Sequence, residues 1–240
     1  MQSGQTIFDL LAFSPPGWGG NLLRGAIHTM EIAIFAYLVG LALGLAGALA
    51  KLSDNRVLFW ISETYTTIVR AVPELLLILL LYYAGTTVLN NILASYDIAA
   101  VSLSGLVAGI GVLGFVQGAY STEVLRAAIL AVPVGQIEAA RAFGMNPFKR
   151  WYRIIIPAML PYAIPGLANL WLILTKDTAL LAVVGYSELA LETRQAAGAT
   201  KAYFTFYVAA GALYLTLTLL SNQVFRRLER HLRRGMPRHH

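Results

Sequence analysis

Seven ionisable side chains interrupt a chain that is otherwise mostly hydrocarbon: Glu31, Glu63, Arg70, Glu74, Glu123, Lys176 and Asp177 fall inside or at the ends of long apolar runs. A charge at the centre of a bilayer costs at least ~2.5–3.5 kcal/mol, so each must face a partner or a water-lined cavity rather than lipid. Two kinds of chemistry are open to them, structural ion pairing and recognition of a charged solute. Glu123 and Arg126, three residues apart, have the spacing of a pair on one helix face, and the sequence predicts an ion pair there. Lys176 and Asp177 are adjacent and project in different directions, so each is expected to pair across helices rather than with the other. In Arg70-Ala71-Val72-Pro73-Glu74 the proline is a natural break, and broken helices at membrane depth are where transporters expose polar groups to substrate. Arg70 and Glu74 would be i,i+4 neighbours if the break were mild, so neutralisation of Arg70 by Glu74 stands beside a substrate role for Glu74.

Membrane spans are what must hold these groups in place. Of 240 residues 58% are hydrophobic and 12% charged, with a mean hydropathy of +0.65, too apolar for an ordinary soluble domain. The charge-free runs are Ile32–Ala50, Leu75–Tyr96, Ile98–Thr122, Ile154–Thr175 and Ala202–Phe225. Each approaches the ~20 residues needed to cross ~30 Å of hydrocarbon, and five spans place the termini on opposite sides. A single helix from Val57 to Leu89 would be too long for one straight crossing, which again points to a break at Pro73. Span 4 carries Pro157, Pro161 and Pro165, the mark of a kinked or late-starting helix. Gly40 with Gly44, Gly105 with Gly109 and Gly114 with Gly118 read as close-packing positions between helices.

Orientation comes from the basic residues. Thirteen Lys and Arg fall on the side that carries Lys51, the 133–157 stretch and the C-terminal tail, against three on the other. By the positive-inside rule the first side is cytoplasmic, so the N-terminus is expected outside and the C-terminus inside. The first twenty residues hold no Lys or Arg, hence no signal-peptide n-region. The division expected is an extracytoplasmic segment over 1–21, with a short amphipathic turn over Thr6 to Phe13, a transmembrane unit over 22–226 and a basic tail over 227–240. The net charge of +6 is concentrated in that tail, which suits anionic lipid headgroups and not nucleic acid. With no Cys there is no disulfide or thiolate chemistry, and the four His do not cluster within the membrane as a metal site.

The most polar internal stretch is 133–157. Pro133 suits the first position of a helix, Glu138 to Phe143 are good helix formers, and Gly144 is where such a helix would end in a left-handed residue. The spacing is specific: Glu138-Ala139-Ala140, Gly144 four residues on, nine residues, then Ile154-x-Ile156-Pro157. This resembles the cytoplasmic EAA loop of ABC-importer permeases, which ends Ile-x-Leu-Pro; Ile156 stands at the Leu. The resemblance implies an all-α integral membrane protein of the type I ABC importer permease fold, with five transmembrane helices and a cytoplasmic coupling helix. It also implies that Glu138, Ala139, Ala140 and Gly144 dock the ATP-hydrolysing subunit.

Arg70 to Glu74 is similar to the Arg-Gly-Thr-Pro motif of polar amino-acid permeases, with Ala71 and Val72 for Gly and Thr. The acid after the proline resembles the histidine/lysine/arginine/ornithine and opine permeases. Lys176-Asp177-Thr178-Ala179-Leu180 likewise resembles that family's Lys-Asp-Thr-Ser-Leu. These resemblances imply a bacterial inner-membrane permease for cationic amino acids or opines, with Glu74, Asp177, Glu31 and Arg70 on the substrate pathway. Its implied partners are an ATP-binding subunit dimer holding ATP and Mg, a second permease subunit, identical or a paralogue, and an extracytoplasmic binding protein. The chain has no GxxxxGK[ST] of its own to cradle phosphates, and no HExxH or GxSxG for an intramembrane hydrolase. A proton- or ion-coupled secondary transporter using the same buried acids is the alternative, and it leaves the 138–157 spacing unexplained.

Overall fold

The computed structural model describes residues 6–96 and 105–232, which are helical with no strand. The expected start of the third span at Ile98, and Arg233, Arg234 and Arg238 of the basic tail, lie outside the described residues. A short helix α1, Ile7–Leu10, stands where the sequence predicts a turn; Thr6 caps it by accepting from the Asp9 amide while Asp9 accepts from the Thr6 amide.

Five helical stretches are long and apolar enough to cross a membrane, as the sequence predicts. They are α2 (Gly19–Leu52), α4 (Glu74–Ser95), α5 (Gly105–Leu130), a composite of Pro147–Val184, and α10 (Tyr203–Leu232). The helices extend beyond the charge-free runs because a helix does not end where hydrocarbon does: α2 takes in Arg24 and Glu31 ahead of Ile32. The helix beginning near Val57 does break before Pro73. α3 covers Arg56–Ala71, capped by Asn55, and α4 restarts at Glu74. α3 is amphipathic, burying Ser62, Thr66 and Val69 while Trp60, Ile61 and Ile68 are exposed on its other side.

The composite fourth stretch records the cost of its prolines. α7 (Pro147–Arg150) runs into a π-turn over Trp151–Ile155, then α8 (Ile156–Asp177) and a 3₁₀ turn over Thr178–Val184 that ends at Gly185. Pro157 has no N–H to return to residue 153, and the π-turn in front of it, where the Ile156 amide reaches back to Trp151, absorbs the mismatch. Pro161 and Pro165 remain inside α8.

α2 and α5 form the most intimate pair and α8 packs on α5. The glycines read as packing positions behave so: a Cβ on Gly44 would collide with Cβ of Ser121, and one on Gly118 would lie 2.8 Å from Cβ of Leu43. Tyr37 donates to the Leu167 carbonyl at 2.9 Å, tying α2 to α8. The core runs through Ile32, Leu113, Leu174 and Leu181. At the end of the bundle opposite α6 (Val134–Ala142), the linking helix α9 (Leu189–Thr200) docks on α2 and α10. Its N-cap, Glu188, is fully buried and accepts from Leu191 N–H, the Tyr214 hydroxyl and the Thr29 hydroxyl at 3.0, 3.0 and 3.3 Å. Burial holds its carboxyl above the usual glutamate value despite those donors.

Candidate functional site: a carboxylate-lined cleft and a capped coupling helix

The charged residues sort into two groups. At the first, Lys51 from the end of α2 reaches Glu63 of α3 at 2.7 Å, Glu123 of α5 at 2.5 Å and the Thr66 hydroxyl at 2.7 Å. Arg70 approaches the same Glu123 at 3.8 Å. The expected Glu123–Arg126 pair is therefore replaced: Glu123 is taken by Lys51, and Arg126 makes no salt bridge among the described residues. The Val72–Pro73 break likewise parts Arg70 from Glu74, because the two now belong to different helices.

The second group is what that sorting leaves. Glu74 at the first turn of α4 and Asp177 at the last residue of α8 line one cleft and are close enough to interact electrostatically. Neither enters a salt bridge among the described residues; Asp177 meets Glu74 across helices, as expected of it, whereas Lys176 makes no salt bridge there. Leu113, Val116, Gln117 and Tyr120, midway along α5, form the facing wall, with Ile78 of α4 and Leu170, Ile173 and Leu174 of α8 around them. The cavity between them is about 40 Å³, room for a few water molecules, and it is partly open to the outside. Two carboxyls, a phenol and a carboxamide on apolar walls are groups that can meet a polar, positively charged solute.

Glu31 is not part of this cleft. It lies on α2 near Tyr186, in the link after the fourth stretch. Gln117 and Tyr120 are site residues that sequence reasoning misses. The signal available is an amide and a phenol three residues apart, hence on one helix face, within an otherwise charge-free run.

The coupling segment forms as its residues dictate, one residue later than expected at its start: Pro133 is the N-cap of α6 and Val134 its first residue. Gly144 takes φ +69°, the Met145 amide donates to the Ala140 carbonyl at 3.0 Å and the Gly144 amide to the Arg141 carbonyl at 2.9 Å. These two bonds are a Schellman end, which requires a left-handed residue at that position. Glu138 and Ala139 are exposed, whereas Ala140 is 4% exposed and turns into the helical bundle itself. Phe143 and Phe148, 87% and 82% exposed, give this surface an apolar character.

A five-span helical chain with these features has clear relatives. Residues 37–234 match the family of binding-protein-dependent transport system inner membrane components, and the chain belongs to that family. It is 43% identical over 222 residues to the histidine/lysine/arginine/ornithine transport system permease protein HisQ of Salmonella typhimurium, covering 92% of this chain and 97% of that one. It is 40% identical over 231 residues to the octopine transport system permease protein OccQ of Rhizobium radiobacter, covering 96% and 98%. With the nopaline transport system permease protein NocQ of Agrobacterium fabrum it shares 42% over 230 residues, 95% and 97% of the two chains. Among solved structures, an amino acid ABC transporter crystallised with histidines superposes with a TM-score of 0.74 at 28% identity, over 89% of this chain and 95% of that one. The inward-facing MetNI methionine transporter, at TM-score 0.75 and 22% identity over 91% and 99%, shares the fold. The chain is thus the membrane-spanning permease subunit of an ABC importer, with ATP hydrolysis in a separate subunit.

Proposed function

We propose that this permease carries cationic amino acids of the arginine, lysine, histidine and ornithine type, or opines built on them, inward across the cytoplasmic membrane of a bacterium by alternating access. The observation that carries the reading is the Glu74–Asp177 cleft, two carboxyls facing one space with neither in a salt bridge among the described residues. A cationic solute leaving water needs such a counter-charge, since an unpaired buried charge is strongly disfavoured. The substrates after which the HisQ, OccQ and NocQ systems are called support it, being basic amino acids and opines. Arg70, held to Glu123 outside the cleft, serves the pathway as a positioning charge, and Glu31 as an entry-side acid.

The chain works with a dimer of ATP-binding subunits, which hold ATP and Mg, with a second permease subunit and with an extracytoplasmic binding protein. The ATPase docks on Glu138, Ala139 and the Gly144 end of α6, where the exposed face and the two bare phenylalanines lie. The N-terminus is outside and the C-terminus cytoplasmic. Calorimetric titration of the permease–ATPase complex with arginine and with glutamine tests the substrate class. Arginine binding with glutamine at least tenfold weaker supports it, and equal binding of the two removes it.

A further inference from the structure

Four buried polar atoms have no hydrogen-bond partner among the described residues: Gln117 Nε2, Ser121 Oγ, Arg126 Nε and Trp171 Nε1. Of these residues only Gln117 lines the Glu74–Asp177 cleft. It is 4% exposed, and an orphaned amide N–H₂ at that depth is costly unless something other than the chain satisfies it. Its stem is fixed by packing: a Cβ on Gly40 would come 2.6 Å from Gln117 Cγ and 2.8 Å from its Cβ, so α2 closes on the base of the side chain. A carboxamide held at its root, with an unpartnered donor on the wall of a cleft that two carboxyls also line, is a preorganised anion or carbonyl contact.

We infer that Gln117 Nε2 donates to the carboxylate of the transported amino acid, making Gln117 the residue that selects a substrate bearing a carboxylate over a plain organic cation. This rests on the reading of the cleft as a site for cationic amino acids. Such a molecule carries two cationic groups and one anionic group. Glu74 and Asp177 match the cations, and the remaining demand is a donor for the anion. Tyr120, the other polar residue on the α5 wall, interacts with Glu74 and is engaged on the acidic side. Gln117 is left as the neutral donor, and because an amide carries no charge it binds the carboxylate without cancelling the field that draws the cation.

The test is calorimetric binding to the permease–ATPase complex of arginine and of its decarboxylated analogue, in the parent and in Gln117→Met, which keeps length and volume. The expected result is arginine bound about ten- to a hundredfold more weakly by the variant, the worth of a hydrogen bond to a charged group, with the analogue within about twofold of the parent. Gln117→Glu, of the same shape and without the amide donor, should disfavour arginine further and bind the analogue more tightly; it serves also if the Met variant does not assemble. An equal loss for both ligands, or no loss for arginine, overturns the role of Gln117 while leaving the cleft intact. If the parent binds neither ligand, the reading of the cleft itself fails and this role fails with it.

Discussion

The ammonium of Lys51 lies 2.5 Å from Glu123 although seventy-two residues separate them, and the same nitrogen is 2.7 Å from Glu63, so one cation at the end of α2 joins it to α3 and α5. The Lys51 side chain is 3% exposed while the two acids are partly open to solvent. Removing the lysine leaves two neighbouring carboxylates and a frayed α3 in front of the Pro73 break. Lys51→Met should therefore cost stability near the lower end of the ~3–5 kcal/mol typical of a broken buried pair. Thermal unfolding in detergent should show a lowered Tm, with part of the loss restored by Glu123→Gln in the same chain. An unchanged Tm in Lys51→Met would show that the cluster is solvated and energetically idle.

The coupling helix separates two substitutions that look alike in sequence. Ala139→Arg adds bulk on the exposed face and should uncouple ATP hydrolysis from uptake while the permease inserts and assembles normally. Ala140→Arg strikes a side chain buried within the permease and should lower the amount of folded protein instead. Gly144→Val forces a β-branched residue to φ +69°, costing about 1–3 kcal/mol and opening the Schellman end, so coupled uptake should fall there too. Stimulated ATPase and uptake in proteoliposomes, read together with yield, tell these outcomes apart; wild-type coupling in Ala139→Arg would make α6 a linker.

Glu188 gives a pH dependence of known sign. Because burial holds its carboxyl above the usual value, the folded protein keeps a proton that the unfolded chain releases, and stability falls as pH rises from the unfolded glutamate value through the folded one. Glu188→Gln, which keeps the size and one carbonyl oxygen, to accept either from Leu191 or from the Thr29 and Tyr214 hydroxyls, should flatten that fall. Glu188→Ala should destabilise at every pH by about 1–3 kcal/mol through the lost cap and the stranded hydroxyls. Tm measured from pH 5 to 8 distinguishes the three proteins, and identical slopes in parent and Glu188→Gln would rule out this residue as the source.

Orientation is testable without any assay of transport. A reporter fused after Arg238 should be cytoplasmic, and reporters inserted near Asn91 or Thr200 should be outside, given the thirteen-to-three asymmetry of basic residues. A cytoplasmic tag at Thr200 would break the assigned arrangement.

Local and periodic features are legible in the sequence. The five spans come from apolar length, the α3–α4 break from Pro73, and the end of α6 from Gly144 with the helix formers before it. Partner choice among charges is not legible. Arg126 looks like the mate of Glu123 because i+3 spacing is visible in one dimension, whereas Lys51 arrives only when α2 and α5 pack through Gly40, Gly44 and Gly118. Gln117 and Tyr120 do not stand out, since an amide or phenol in an apolar run is ordinary until the elements facing it are known. Ala140 reads as a docking-face residue in one dimension because the rotation of a nine-residue helix about its axis is set by what it rests on.

If Glu74 and Asp177 together hold the substrate's positive charge, arginine binding to the permease–ATPase complex carrying Glu74→Gln, Asp177→Asn or both reads their contribution without any intervening step. Arginine affinity should fall at least thirtyfold in each single variant, corresponding to the roughly 2 kcal/mol or more lost when one partner of a desolvated charge contact is removed. The double variant should bind no better than either single one, while Tm stays within a few degrees of the parent, because neither carboxyl is part of a salt bridge among the described residues. Arginine affinity unchanged in the double variant, with the complex intact, would mean that these two carboxyls do not bind the substrate.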